Sequence, residues 1–371
     1  VATPDLEGRS RAQPLDVERL RTRVQTSIDA QLKAQQQVLA PIGTAAEPLL
    51  QAAADLLRGG KRLRAAFFYW GYRAAGGADS DALVTAASSM EMFQAGALVH
   101  DDVMDDSDTR RGQPSVHRRL GRLHADRSWL GDTDRFGAAG AVLVGDLCLT
   151  WTDELYATSG LPAEELARGR GEFDAMRAQL MAGQFLDVLE AALGWDDAPT
   201  DERIARARHV ARVKSARYTV EQPLLIGAAC AGGDEALLDD LARYGRALGE
   251  AFQLRDDLLG VFGDPAATGK PAGDDLREGK RTVLMAYTLD ALDDADTERF
   301  EALLGDADLA DDDLAWMRDT ITGSGAVERV ERLIDELVDV AAAALRSADI
   351  VDDQARTVLG ELVTLTTERN A

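Results

Sequence analysis

The chain has 371 residues, 46% of them hydrophobic and 29% charged, with 41 basic against 65 acidic side chains and a formal net charge of −24. Such a length buries a substantial core, and such a composition excludes a disordered chain. The negative balance disfavours nucleic acid and anionic membrane as partners, so an anionic substrate needs locally concentrated positive charge or bridging metal ions. Cys148 and Cys230 form neither a disulfide framework nor a metal-ligand spacing, and the expected compartment is the reducing cytoplasm. No membrane span is expected, because no run of about 18 apolar residues occurs. Residues 1–14 lack the apolar stretch of a signal peptide and are expected to form a flexible leader to one helical domain over 15–371.

Leu20, Val24, Ile28 and Leu32 recur every four residues, an apolar helical stripe that Pro41-Ile42-Gly43 interrupts. Further helices are expected over 46–57, from near Lys61, and over 81–105, 137–158, 163–190, 202–230 and 235–262. The pattern continues over 280–294, 309–320, 326–344 and 350–367. Turn signals at Gly76-Gly77, Gly112-Gln113-Pro114, Gly160-Leu161-Pro162 and Gly232-Gly233 imply short links between antiparallel neighbours. Alternating strand patterns are scarce and no flexible linker divides the chain, so the fold class is all-α, an antiparallel helical bundle. The 11 acids and two arginines of 291–320 read as a solvated surface of short helices.

Two acidic clusters stand out. Residues 98–112 read LVHDDVMDDSDTRRG, in which Asp101 and Asp105 are four apart and Asp102 and Asp105 three apart, so the carboxylates share a helix face. Like charges gathered there need cations, and hard oxygen ligands suit Mg²⁺ that also binds phosphate oxygens. Arg110 and Arg111 follow, placed for direct diphosphate contacts. The second cluster, FQLRDDLLGVFGD at 252–264, puts Asp256 and Asp257 after another apolar helix, with Gln253 one turn upstream. The loop beyond it carries Lys270, Asp274, Asp275 and Lys280 among glycines, a candidate lid over phosphate that is neither a Walker A nor a GxGxxG loop.

Lysine is rare, with only Lys33, Lys61, Lys214, Lys270 and Lys280 among the basic residues, and four of the five stand beside glycine-rich or acidic clusters. A lysine is a compact point charge suited to a phosphate oxygen. Gly59-Gly60-Lys61-Arg62-Leu63-Arg64 opens a helix whose N–H groups favour an anion, with Lys61 and Arg64 on one face and Arg62 pointing elsewhere. Lys214 is either a surface charge or an internal phosphate ligand. Gln184 and Asp187 share a helix face and need partners if buried.

Taken in order, GGKRLR, EMFQAGALVHDDVMDDSDTRRG, GQFLD, KSA, FQLRDD and GKPAGDDLREGKRT make the chain resemble the trans-isoprenyl diphosphate synthases, or polyprenyl synthetases, over about residues 45–345. The resemblance implies the isoprenoid synthase fold, a central active-site cavity and a homodimer. It implies that Asp101, Asp102, Asp105, Asp256 and Asp257 hold three Mg²⁺ ions on an allylic diphosphate, with Mn²⁺ able to substitute. Arg110, Lys214 and Lys280 match further allylic diphosphate ligands, with Lys270 as a helper. Lys61, Arg64, Gln94 and Arg111 match the site for isopentenyl diphosphate. Gln184 matches the glutamine near the developing allylic cation, and Ser215 the threonine that usually follows the motif lysine. One departure is plain: Gly260 stands where the second motif carries its third aspartate, with Asp264 one turn farther on as a weak substitute.

The implied reaction joins C4 of isopentenyl diphosphate to C1 of dimethylallyl, geranyl or farnesyl diphosphate, with loss of diphosphate from C1 and of a proton from C2. The released diphosphate is the expected base, and a dry cavity keeps water from the cation. Product length is read one and two turns before Asp101: Gly96 and Ala97 are small and leave the channel open, and Phe93 is the expected floor. A rise of 1.5 Å per residue makes the step from 97 to 93 about 6 Å, on the order of one prenyl unit. Geranylgeranyl diphosphate (C20) is the expected product, then C25–C50 products, then farnesyl diphosphate. A class I terpene cyclase lacks the second diphosphate site and carries a different second metal motif. A silent regulatory partner leaves the complete ligand set unexplained, and a helical scaffold leaves the ordered clusters unexplained.

Overall fold

The computed structural model describes residues 14–195, 198–263 and 273–367. Helices α1 (Leu20–Leu39), α2 (Glu47–Leu56), α3 (Leu63–Ala74) and α4 (Asp81–Met104) come first, then α5 (Val116–Asp126), α6 (Thr133–Ala157), α7 (Ala163–Leu193) and α8 (Thr200–Val210). A π-helical stretch, Ala211–Glu221, leads into α9 (Gln222–Ala231) and α10 (Glu235–Phe262). A short turn of helix, Asp274–Arg277, precedes the helices Val283–Ala291, Asp294–Leu303, Asp311–Gly323, Ala326–Ser347 and Asp353–Thr367. The only strands among the described residues are Thr109–Arg110 and Gln113–Pro114, an antiparallel pair just after α4. The architecture is the all-α bundle the sequence predicts.

Local chemistry sets the ends. Ser80 caps α4 by accepting the Leu83 N–H at 3.0 Å, and Asp234 caps α10 by accepting that of Leu237 at 2.9 Å. Among the described residues α4 alone is long and apolar enough to cross a membrane, but 72% of that stretch is buried inside the protein, as befits a core helix. One apolar core gathers α1, α3, α4, α6, α7, α9 and α10 as far as Phe252, including Phe67, Phe68, Trp70, Phe93 and Trp151. A second joins the end of α10 to the helices from Val283 to Ile334.

The differences from the sequence reading have physical causes. Residues 202–230 are helical throughout but not one α-helix, because the middle stretch is π. That wider turn fits where its neighbours come unusually close: a Cβ on Gly183 of α7 would lie 2.8 Å from the Val213 carbonyl carbon, and one on Gly249 of α10 would lie 2.5 Å from the Ala216 oxygen. The sequence does not announce helix α5, because its arginines and internal Gly121 obscure the stripe formed by Val116, Leu120 and His124. The acidic stretch 291–320 forms two short helices with mostly exposed acids, several in first turns where they complement the helix dipole.

Candidate active site

Both acidic clusters lie toward the C-terminal ends of long helices, α4 and α10, where backbone carbonyls already concentrate negative charge. Carboxylates there raise the energy of the empty fold unless cations approach. Between them is a cavity of about 1350 Å³, walled by α3, α4, α6, α7, the π stretch, α10 and the segment 274–282. Asp101, Arg110, Arg111, Gln94, Gln184, Lys61, Arg64, Lys214, Ser215, Asp256, Asp257 and Lys280 all line it. The fold thus brings residues separated by some 200 positions into one chamber.

The first cluster is met by cations from the protein itself. Asp102, buried, accepts from Arg110 Nε at 2.8 Å and again from its Nη2, which also lies 3.5 Å from Asp101. Lys214 Nζ stands 3.3 Å from Asp101 and 2.5 Å from Asp187, so this lysine is internal. Gln184 Nε2 donates to Asp101 at 2.5 Å. Although burial opposes its ionisation, the charges of Lys214, Lys280 and Arg110 hold the Asp101 carboxyl well below the usual range. Asp105 goes the other way, pushed up to about 6 by burial and by Asp101. Its buried Oδ2 makes no hydrogen bond among the described residues, with Lys280 Nζ 3.7 Å away.

In the second cluster Asp257 accepts from the neutral amide of Gln253 at 2.7 Å. Burial, and then the charge of Asp275, push its carboxyl up to about 8. Lys280 bridges the clusters, reaching Asp275 at 3.3 Å and Glu278 more closely still, besides Asp105. Among the described residues no three carboxylate, imidazole or thiol groups form a closed cage. The donor set nonetheless fits Mg²⁺, which keeps its waters and needs one or two carboxylates plus phosphate oxygens. The orphaned Asp105 oxygen and the raised Asp257 carboxyl are what such a cation would correct.

The other basic group surrounds the α2–α3 turn, and here the expected geometry needs correction. Helix α3 begins at Leu63, after Arg62 in a left-handed conformation (φ 58°), so Lys61 precedes the helix and shares no helical face with Arg64. The cause is Arg62, whose guanidinium enters the core to donate to the Leu57 carbonyl, to Gln25 at 2.5 Å and to buried Glu91 at 3.4 Å. Glu91 also accepts the Ala65 N–H of the first turn of α3 at 3.1 Å. Arg64 donates to Thr219 at 2.8 Å and lies 4.3 Å from the ring centre of Tyr218, so the π stretch fixes this arginine as well as Lys214. Arg111 (φ 55°) reaches back to the Leu56 carbonyl at 3.1 Å, its guanidinium packed on Gly60. Two non-glycine residues held at positive φ beside one cavity store strain at the site.

Of the residues expected to set product length, Ala97 lines the cavity. Gly96 is turned toward α6, where a Cβ would lie 3.0 Å from the Gly145 oxygen, so its smallness permits helix packing. Phe93 is fully buried with its ring edge on Tyr218, centroids 6.3 Å apart, and is not part of the cavity wall. Lys270 and Asp264 lie outside the described residues. Glu91, Tyr218 and Phe252 also line the cavity without standing out in the sequence, although Glu91, an acid three residues before Gln94, carries a signal; Arg62, expected only to point elsewhere, is the buried partner of Glu91.

A helical bundle with a deep cavity, two acid-bearing helix ends and two separate basic groups defines a class of enzymes that act on diphosphates. The polyprenyl synthetase family profile matches residues 46–321. The geranylfarnesyl diphosphate synthase of Aeropyrum pernix is 31% identical over 84% of this chain and 91% of its own. The geranylgeranyl diphosphate synthase of Mycobacterium tuberculosis is 32% identical over 79% of this chain and 77% of its own. The crystal structure of geranylgeranyl pyrophosphate synthase from Corynebacterium glutamicum, complexed with isoprenyl diphosphate and magnesium, superposes with a TM-score of 0.88 at 39% identity, covering 97% of this chain and 99% of that one. This chain belongs to the polyprenyl synthetase family and is a trans-prenyltransferase.

Proposed function

We propose that the protein condenses isopentenyl diphosphate with allylic diphosphates, head to tail and dependent on Mg²⁺, and makes geranylgeranyl diphosphate as its main product. The observation that carries this reading is one cavity with two cationic groups: Arg110, Lys214 and Lys280 among the carboxylates, and Lys61, Arg64 and Arg111 around the α2–α3 turn. Two diphosphates need two such groups. The magnesium and isoprenyl diphosphate of the Corynebacterium complex support the same ligands here.

Asp101, Asp102, Asp105, Asp256 and Asp257 would hold the Mg²⁺ ions, with Asp102 also steadying Arg110; a count of three ions rests on the family resemblance. When bound, Mg²⁺ supplies positive charge to the diphosphate as the allylic C1–O bond breaks. Lys214 and Lys280 are charged, and their carboxylate partners aim them at the same oxygens. Gln184 donates its amide nitrogen to Asp101, so its oxygen is the end offered to the developing cation. Lys61, Arg64 and Arg111 hold the second diphosphate so that C4 of the nucleophile faces C1. No side chain among these is placed as a dedicated base, and the departing diphosphate takes the C2 proton.

The chain grows past Ala97 toward the wall formed by Val142, Met181, Phe185 and Val188. Those four apolar side chains on α6 and α7 are 40–67% exposed in the single chain, which supports a homodimer whose partner closes the cavity. Because Phe93 is not in the wall, a C25 product is the second reading, in keeping with the name of the Aeropyrum relative.

Mass spectrometry of products formed from dimethylallyl, geranyl and farnesyl diphosphate, with and without Mg²⁺, tests the proposal. A Mg²⁺-dependent C20 product is expected, and failure to extend any primer overturns it. Arg111→Ala should raise KM for isopentenyl diphosphate by about tenfold or more, the loss of a charge-assisted contact, while KM for the allylic primer changes little. The reverse pattern would exchange the two subsites.

A further inference from the structure

Helices α6 and α7 follow one another across the short link 158–162, and each carries one stripe of residues spaced four, three and four apart. On α7 the stripe is Arg177, Met181, Gln184 and Val188; on α6 it is Val142, Asp146, Leu149 and Asp153. Val142, Met181, Gln184 and Val188 are in the cavity wall, and Asp146 leans to His100 at 3.6 Å. Beyond the wall, Arg177 Nη1 donates to Asp153 at 2.9 Å. The spacings agree, because Val142 to Asp153 and Arg177 to Val188 are both 11 residues, as antiparallel neighbours require. The two valines share one level at the chamber, and the charged pair shares another about 16 Å away.

The pair is held from several sides. The Arg177 guanidinium lies 5.3 Å from the ring centre of Phe173, which is fully buried and stacked on Tyr156 at 4.2 Å. Arg170 flanks the same ring at 5.6 Å and reaches Asp153 at 3.0 Å and Asp174 at 2.8 Å, while Arg177 lies 3.6 Å from Asp174. Two arginines and two aspartates thus form a neutral cluster, each arginine held by a ring and by carboxylates from both helices. Met181 is the residue before it on this face of α7, and four residues make the step to Arg177 about 6 Å, on the order of one prenyl unit. The outward side of the pair keeps its water, with Arg177 33% and Asp153 40% exposed in the single chain. An apolar chain end laid against it strips that water and returns no hydrogen bond. Burial that is favourable along Met181 and Leu149 therefore becomes unfavourable at the charges.

We propose that the Arg177–Asp153 pair, braced by Arg170 and Asp174, is a polar stop that ends elongation: the prenyl chain grows along the groove between α6 and α7 until its end meets these charges. The four residues set specificity and take no part in bond making. The floor expected from Phe93 on α4 comes instead from α6 and α7. The inference rests on the reading that the protein extends prenyl diphosphates and that the chain passes Ala97 toward Met181.

The test is the product length made by the full chain from farnesyl diphosphate, isopentenyl diphosphate and Mg²⁺, read by chromatography and mass spectrometry. Asp153→Leu combined with Arg177→Met keeps the bulk and removes both charges together, and should move the main product up by one or more prenyl units. Met181→Lys carries a charge one turn nearer the chamber at nearly constant volume, and should move it down by one or more. Circular dichroism and sedimentation confirm that each variant keeps the fold and assembly of the wild type. An unchanged main product from the folded double variant overturns the inference, and a longer product from Arg177→Ala beside it would make the stop one of bulk. Where the double variant does not fold, an unchanged product from Met181→Lys overturns the inference in its place. Failure of the wild type to extend any primer would overturn the reading of the function itself.

Discussion

The two acidic clusters occupy equivalent places at the ends of α4 and α10, yet the protein meets their charge differently. At α4, Arg110 and Lys214 lie within ion-pair distance of Asp101, Arg110 grips Asp102, and Asp101 is ionised throughout the physiological range. At α10, Asp257 faces a neutral amide and a neighbouring carboxylate, and its carboxyl is pushed up to about 8. The lesson concerns division of labour. The first cluster is preorganised by side chains and holds cationic ligands in place before substrate arrives. In the second, Asp257 has only the neutral Gln253 amide as hydrogen-bond partner among the described residues, and on the proposed reading its charge is settled when cations enter with the diphosphate.

The largest expected effect tests whether both clusters serve one reaction. Asp102→Ala and Asp256→Ala should each lower turnover by at least about 10²-fold, the loss typical of a charged transition-state contact. Asp102→Ala should also unfold more easily in a denaturant titration, because it removes the carboxylate that accepts from both Nε and Nη2 of the mostly buried Arg110 and leaves it only the longer contact to Asp101. Unchanged stability of a folded Asp102→Ala would erase the reading that the first cluster is preorganised by its own cations.

A smaller effect separates them by pH. Asp257, at about 8, and Asp105, at about 6, both have raised folded-state pKa values. Their stabilising contribution is complete below the ordinary carboxylate value and is lost as pH rises through 6 and 8. Asp101 is lowered, so its contribution is lost only in strong acid; Lys214 and Lys280 are raised, so theirs fails only in strong alkali. Between about pH 6 and pH 9 the metal-free protein should therefore lose Tm, and Asp257→Asn should lose less, by at least about 4 °C. Parallel curves for the two proteins would show that Asp257 is not the group left uncompensated.

The smallest effects on turnover lie along the face of α4 that leads away from its carboxylates. Ala97→Phe should shorten the main product by one or more prenyl units, since residue 97 is in the cavity wall. Phe93→Ala should destabilise the fold by about 3–5 kcal/mol and leave product length nearly unchanged, since the ring packs on Tyr218 behind the wall. Product chromatography beside thermal unfolding reads both. A longer product from a stable Phe93→Ala variant would restore this residue as the floor.

Much of this was legible in the chain. The period of the apolar residues, Leu20, Val24 and Ile28 among them, marked the helices because a helix face repeats every three to four residues whatever it packs against. The aspartate spacings marked the two clusters for the same reason, and scarce lysines beside glycines marked their partners. Local sequence, however, carries no information on what a side chain meets across a cavity. That Lys61 and Arg64 do not share a helical turn was decided by the buried pair of Arg62 with Glu91, formed over 29 positions. That residues 211–221 widen into a π-helix was decided by close neighbours on α7 and α10. Gly96 meeting α6, Phe93 standing behind Tyr218, and Arg177 reaching Asp153 on α6 are likewise facts of packing. Periodicity and charge spacing are properties of one segment, and the sequence determined them; contacts between segments depend on which faces the core brings together, and only the tertiary structure decided those.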